Sequence, residues 1–276
     1  MKLLQPDSYY KVQTPLNKIG INTLFARFVV EKRVKGAVYV DDIERPETFY
    51  IVHPYGMSLL FGKTGNDEFN SGFIDYSLNI NKTRNRYEWL QVYPDEWNKE
   101  LLARLGDNLV ESEDNKGNTF NKKIEKNTRV NFKFNKERYL DFRTKYISKE
   151  YTIVQTNREL FGKMEGSVVP KYFWNSPEEF LNDGVGFSLI YENKLVSTAY
   201  SAFILEKQLE LGIETIDMFR GKGFAMYVCS SLIDYCIDNG YEPVWSCRLE
   251  NIGSYKLAIK LGFEPTLYIP YYRLVV

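Results

Sequence analysis

A single histidine, His53, stands in the whole chain of 276 residues. That scarcity excludes histidine-built metal centres and most Ser–His or Cys–His nucleophile schemes. Chemistry has to come from carboxylates, tyrosine, lysine or backbone groups. His53 lies in the apolar run Phe-Tyr-Ile-Val-His-Pro, a strand-like setting that reads as structural. Cysteine is nearly as sparse: Cys229, Cys236 and Cys247, an odd number in one short stretch. That pattern gives no disulfide framework and reads as reduced, buried thiols. Surplus charge is missing, with Lys+Arg and Asp+Glu both at 36. Phosphate-backbone binding wants positive surplus on one face, so nucleic acid is not an expected partner. No apolar run approaches the ~20 residues that span a bilayer, so no membrane partner is expected. The start, MKLLQPDSYYKVQTP, lacks the apolar stretch and cleavage site of a secretory signal. The expectation is a cytoplasmic protein, monomer or homodimer, with no metal.

What is present is a globular mix, 44% apolar and 26% charged, long enough for one large or two medium domains. The best break is the polar, charged stretch near 108–128, which reads as a linker and divides the chain into 1–125 and 126–276. Before it, Thr14-Pro15 resembles an N-cap and first-turn proline opening a helix over 14–34. Strands are predicted at Ala37–Val40, Thr48–Val52, Met57–Phe61 and Tyr87–Val92, and helices at Asp67–Leu78 and Asp95–Leu105. After the break, strands are predicted at Val130–Phe134 and Tyr151–Val154, with a helix over Lys136–Tyr146. Ser176-Pro177-Glu178-Glu179 has the cap, proline and acids that open a helix. Glu192-Asn193-Lys194 reads as a hairpin turn between Phe187–Tyr191 and Leu195–Leu205. A further strand runs through Leu209–Ile216. The segments Trp89–Gly106 and Trp245–Gly262 echo each other, each a strand-ending Trp followed by a helix closed by basic-Leu-Gly, as a duplication would leave.

The chemistry gathers at Arg220-Gly-Lys-Gly-Phe-Ala225. A strand enters a glycine loop, and the loop opens a helix with Val228, Leu232, Tyr235 and Cys236 on one face. A helix N-terminus offers unpaired N–H groups and partial positive charge. Gly221 and Gly223 let the backbone approach a phosphate closely. Arg220 and Lys222 add charge, making a cradle for pyrophosphate. The spacing is not that of a dinucleotide fold, and Gly56 lies too far from Gly62-Lys63-Thr64 for a P-loop.

Arg220 to Ala225 fits R-x-x-G-x-A, and further on come Val244-Trp-Ser-Cys247, Asn251-Ile-Gly-Ser254 and Lys260-Leu-Gly-Phe263. In this order the motifs resemble the GNAT superfamily of acyl-CoA N-acyltransferases, and a two-domain GNAT acetyltransferase family in particular. The resemblance implies an α/β (α+β) fold: a mixed, mostly antiparallel sheet with splayed central strands in the C-terminal half, preceded by a smaller degenerate GNAT-like half. It implies acetyl-CoA as co-substrate and an amine acceptor. The backbone of Arg220, Gly221, Lys222, Gly223, Phe224 and Ala225 would hold the pyrophosphate. That of Thr215, Ile216 and Asp217 would bond the pantetheine arm, and Asn251 would approach the coenzyme from the next helix. Among Glu210, Glu214 and Asp217, Glu214 is the expected base. The family often places the thiolate's proton donor, a Tyr, where this chain has Ala258; Tyr255 is the expected substitute. Tyr172, Phe173, Trp174, Tyr268, Tyr271 and Tyr272 are either core or acceptor lining. The leading reading is N-acetyl transfer to a small-molecule or peptide amine. Others are a non-catalytic acyl-CoA sensor and a tandem-GNAT aminoacyltransferase.

Overall fold

The computed structural model of the protein describes residues 1–112, 123–143 and 151–276. In chain order the first elements are β1 (Lys2–Leu3), α1 (Tyr10–Leu16), α2 (Leu24–Val30), β2 (Ala37–Val40), β3 (Thr48–Val52), β4 (Met57–Gly62), α3 (Asp67–Ser77), β5 (Glu88–Tyr93), α4 (Glu96–Leu105) and β6 (Leu109–Glu111). There follow β7 (Ile124–Phe134), α5 (Lys136–Arg143), β8 (Thr152–Gln155), α6 (Arg158–Lys163), α7 (Pro177–Asp183), β9 (Gly186–Tyr191), β10 (Lys194–Leu205), β11 (Gln208–Thr215), α8 (Phe224–Asp238), β12 (Glu242–Val244), β13 (Ser246–Arg248), α9 (Ile252–Lys260) and β14 (Phe263–Leu274). They form two compact units.

The first unit comprises Met1–Val130, Arg248–Glu250 and Leu267–Val276. Strands β1 to β4 run antiparallel in sequence order, and β5 joins β4 in parallel from Met57↔Trp89 to Phe61↔Tyr93. The end of β14 returns to pair with β5, Tyr271↔Gln91 to Leu274↔Glu88. Alternate residues of these strands close one core with Phe69, Phe73, Trp97, Leu101 and Leu105 of α3 and α4. The single helix expected over 14–34 is two. Pro15 falls at the end of α1 rather than the start of a helix, where its ring and missing N–H oppose propagation. The chain restarts at α2, where Asn22 Oδ1 accepts from the Leu24 N–H at 3.1 Å.

Of the stretch expected to be a linker, 113–122 lie outside the described residues. Its flanks are strand: Leu109–Glu111 pairs in parallel with Ile124–Lys126. Likewise β7 begins at Ile124, six residues ahead of the expected Val130. Its polar residues are buried but partnered: Glu125 takes the Arg273 guanidinium at 2.6 Å, and Asn127 takes Arg248 at 3.1 Å. The helix expected over Lys136–Tyr146 is described to Arg143; 144–150 lie outside the described residues.

The second unit comprises Asn131–Cys247 and Asn251–Thr266. Its five-stranded sheet has the order β12-β11-β10-β9-β8. Helix α8 packs on β9, β10 and β11 through buried Val228, Cys229, Leu232, Ile233 and Cys236. Glu192 and Asn193 take positive φ at the β9–β10 turn, the geometry of a two-residue hairpin. Ser176 caps α7 by accepting from the Glu179 N–H at 3.1 Å.

The two units repeat one order of elements. In the first, three antiparallel strands (β2–β4) lead to α3, then to β5 parallel to β4, then to α4. In the second, β9–β11 lead to α8, then to β12 parallel to β11, and on to α9. Helices α4 and α9 both stop at a positive-φ glycine, Gly106 and Gly262. The fold is mixed α/β, as expected.

Candidate functional site

The ladder between β11 and β12 is short. It joins Gln208↔Glu242, Leu209↔Pro243 and Glu210↔Val244, after which β11 runs on to Thr215. The chain beyond β12 turns elsewhere: the Trp245 carbonyl is taken by the Phe132 N–H at 3.2 Å. The two parallel strands thus part beyond Glu210.

At the end of β11 the chain makes a tight 3-10 turn, Asp217–Phe219, and then the glycine loop. Gly221 and Gly223 sit at φ 79° and 83°, and Gly223 is the N-cap of α8. A Cβ at either glycine would meet nothing within 4 Å, so the space above the loop is open. Helix α8 has no side-chain cap and no acid in its first turn. Among the described residues, the N–H groups of Gly221, Lys222, Gly223, Phe224 and Ala225 make no hydrogen bond. Five unbonded donors and a helix dipole therefore gather at the start of α8, which suits a pyrophosphate. The Arg220 amide, expected with them, is bonded to the Asp217 carbonyl at 3.1 Å.

The matching turn of the first unit is closed. Gly62 ends β4 at φ 97°, but a Cβ there would lie 2.2 Å from the Glu47 carbonyl. Asn66 caps α3 through the Phe69 N–H at 3.0 Å, and Asp67 and Glu68 fill its first turn. The helix end supplies its own anions, so no phosphate is invited there. Lys63 is paired with Glu47 at 2.6 Å.

The side chains around the loop are knotted together. Arg220 Nε donates to the Thr215 carbonyl at 3.1 Å, and Nη2 reaches Glu214 Oε1 at 3.0 Å and Asp217 Oδ1 at 2.9 Å. The guanidinium thus fastens the turn, and its charge is met by two carboxylates. Lys222 is left as the exposed cation of the loop, lying 5.1 Å from the Phe219 ring centroid. Thr215 N–H bonds Glu214 Oε1 at 3.2 Å, and Ile216 N–H bonds the Val196 carbonyl at 3.0 Å. In this segment the Asp217 and Met218 amides make no hydrogen bond among the described residues.

Glu214 is buried, 6% exposed, and richly bonded. Besides Arg220 and Thr215 on Oε1, Oε2 accepts from the Ser167 and Val168 amides at 2.9 and 3.0 Å and from Ser167 Oγ at 3.4 Å. It takes up a proton from a substrate only by releasing one of these donors. The turn Gly166–Val168 that wraps it was not foreseen, because nothing local in the sequence ties it to residue 214.

Asn251 opens α9 and Tyr255 lies on it. Asn251 Oδ1 caps that helix through the Ser254 N–H at 3.2 Å. The Tyr255 ring packs 5.5 Å from that of Phe132, and Ala258 is fully buried. Of the aromatic candidates, Phe173, Trp174, Tyr271 and Tyr272 are core, and the Trp174 indole bonds the Ser201 carbonyl at 2.8 Å. Tyr172 and Tyr268 are exposed.

The remaining reactive groups are silent. Burial raises the thiol of Cys229 far above its ordinary range; burial, then the charge of Glu242, pushes that of Cys236 up to about 12. Neither supplies a thiolate at neutral pH. Burial, then Arg86, lowers His53 to about 3, so it stays neutral and accepts the Tyr55 N–H at 3.0 Å. No group of His, Cys, Asp and Glu among the described residues is placed to hold a metal, and no helix there is long and apolar enough to cross a membrane.

An open amide cradle at the end of a parted parallel pair, on this order of elements, fits an acyltransferase. The chain belongs to the GNAT acetyltransferase family, whose sequence pattern matches residues 16–272. It is 28% identical over 251 residues to "Uncharacterized N-acetyltransferase YdfB" of Bacillus subtilis (strain 168), covering 90% of this chain and 89% of that one. Its fold is similar to that of a GCN5-related N-acetyltransferase-like protein from Streptococcus suis 89/1591, at TM-score 0.71 and 20% identity, over 98% of this chain and 100% of the other. A tandem GNAT protein from the clavulanic acid biosynthesis pathway matches at TM-score 0.61 and 8% identity, over 99% and 97%. The family uses acetyl-CoA as co-substrate and acts on an acceptor.

Proposed function

We propose that the protein transfers an acetyl group from acetyl-CoA to a primary amine of a small molecule or peptide, and that the second unit carries the chemistry. The observation that supports this most directly is the set of five unbonded amides, Gly221 to Ala225, beside the parted strands β11 and β12. When bound, the thioester supplies an activated acyl group and a thiolate leaving group. The protein's part is to hold and polarise. Gly221–Ala225 and Lys222 grip the pyrophosphate; β11 from Leu211 to Thr215 takes the extended arm. The Asp217 and Met218 amides stand at the reacting end as donors to the thioester oxygen. Such donors each lower a barrier by roughly 3 kcal/mol in other acyl transfers. With Glu214 already bonded on both oxygens, the amine arrives neutral or gives its proton to water. Tyr255 is the proposed proton donor to the thiolate, which departs readily even unaided because thiols ionise near pH 8.5. In the first unit the capped start of α3, with acids in its first turn, leaves coenzyme no such cradle at the matching turn.

Calorimetric titration of acetyl-CoA and free coenzyme A tests the reading, with thiol release followed across a panel of amines. Binding that an Arg220→Ala, Gly223→Val variant abolishes is expected. A folded wild type that binds neither ligand would sink it.

A further inference from the structure

Glu214 occupies the position where a proton acceptor was expected, yet its bonds describe another task. It lies on β11 opposite Thr198 of β10, on the buried face of the sheet. Its two oxygens offer about four acceptor positions. Five donors from four residues surround them: Ser167 and Val168 N–H, Ser167 Oγ, Thr215 N–H and the Arg220 guanidinium. Three segments meet on this one carboxylate, and the first of them is distant in sequence. One is the turn Gly166–Val168. The second is the backbone at the reacting end of β11. The third is Arg220, which opens the glycine loop.

The fit is close as well as complete. Gly166 has φ 142°, and a Cβ there would lie 2.4 Å from Glu214 Oε2. Only a glycine lets the turn close over the carboxylate.

We propose that Glu214 is a positioning residue, which sets the glycine loop for coenzyme through Arg220 and fixes the Gly166–Val168 turn against the same strand. This rests on the coenzyme reading above. A carboxylate whose acceptor positions are filled by five donors, a guanidinium among them, is a good anchor. Loss of the anchor frees Arg220 from one of its two carboxylates and releases two turn amides. The cradle amides then have to be ordered by the ligand, which weakens binding without touching the chemical step.

The test uses full-length Glu214→Gln, Gly166→Ala and the double variant. Gly166 has no titratable group, so it reports on position alone. Expected are an acetyl-CoA Kd raised about tenfold in each single variant, and a double variant little weaker than either, because both break one contact set. Amide hydrogen exchange at Ser167 and Val168 should quicken in both, without any ligand present. With an amine from the panel that turns over, kcat and its acid limb should stay within about threefold. A Glu214→Gln variant with unchanged Kd, a kcat down a hundredfold or more and a lost acid limb would overturn the proposal in favour of a base. Unchanged exchange at Ser167 and Val168 would also overturn it. If Glu214→Gln does not fold, Gly166→Ala with its carboxylate intact decides by the same readouts. A wild type that ignores acetyl-CoA removes the coenzyme reading, while the exchange data still decide whether Glu214 anchors the turn.

Discussion

Replacing Gly221 and Gly223 together by alanine separates the stability of the loop from its work. Both residues sit in the left-handed region, at φ 79° and 83°. An L-residue there costs about 1–2 kcal/mol. Neither new methyl meets an atom within 4 Å, so no clash is added. The double variant should lose about 2–4 kcal/mol, tolerable for a domain with ~5–15 kcal/mol to draw on. The open space that spares the fold is where the pyrophosphate would lie. Two methyl groups there separate phosphate oxygens from amides whose bonds to a charged partner contribute about 1.5–3 kcal/mol each. The Kd for acetyl-CoA should rise at least tenfold, since tenfold is about 1.4 kcal/mol. Urea unfolding followed by calorimetry on the folded variant reads both quantities. Gly62→Ala, at the matching turn of the first unit, is the counter-experiment. Its methyl would lie 2.2 Å from the Glu47 carbonyl, so it should destabilise by about 2–5 kcal/mol while the folded protein keeps its coenzyme affinity. A folded double-alanine variant with wild-type Kd would refute the assignment of the loop.

Arg220→Lys should fail to restore what Arg220→Ala loses, because a single ammonium cannot serve Thr215, Glu214 and Asp217 at once; equal acetyl-CoA Kd for Lys and Arg would contradict this. Asn251→Ala should lose about 1 kcal/mol of stability through the missing cap, and Asn251→Ser much less, as read by urea midpoints. His53 has a folded pKa near 3, below the ordinary 6.5, so the unfolded chain binds the extra proton between those values. Stability from this group falls as pH drops below 6.5, by about 1.4 kcal/mol per unit. His53→Asn should flatten the stability–pH slope between pH 4 and 6 by about one proton, and an unchanged slope would show that His53 is not the cause.

Much of the fold was readable where local pattern decides it. Ala37–Val40 and Thr48–Val52 are apolar runs bounded by turn residues, and the strands match them to the residue. The glycine loop at the start of α8 was readable because glycine spacing and a helix start are local too. What escaped was fixed by distant partners. The start of β7 looked like linker because Glu125 and Asn127 are polar; their burial is made possible by Arg273 and Arg248. Helix α6 was missed although Asn157 caps it through the Leu160 N–H at 2.9 Å, since six residues carry too little periodicity to detect. Arg220 read as a phosphate ligand because its charge is visible in sequence and its two carboxylate partners are not.

The route of the chain has a consequence for how the molecule is made. Strand β5 waits for Tyr271–Leu274, and the Arg84 guanidinium reaches the Val275 carbonyl at 2.5 Å. Residues 1–130 are made before Tyr271–Leu274, and until those residues follow, their sheet keeps an open edge bearing Trp89, Leu90 and Val92. Such an edge invites wrong partners. Asn131–Cys247 and Asn251–Thr266 are all made before Tyr271, so the second unit has its whole sequence before the first does. Without Tyr271–Leu274 the five-stranded sheet would keep all its strands, while β5 would lose a partner.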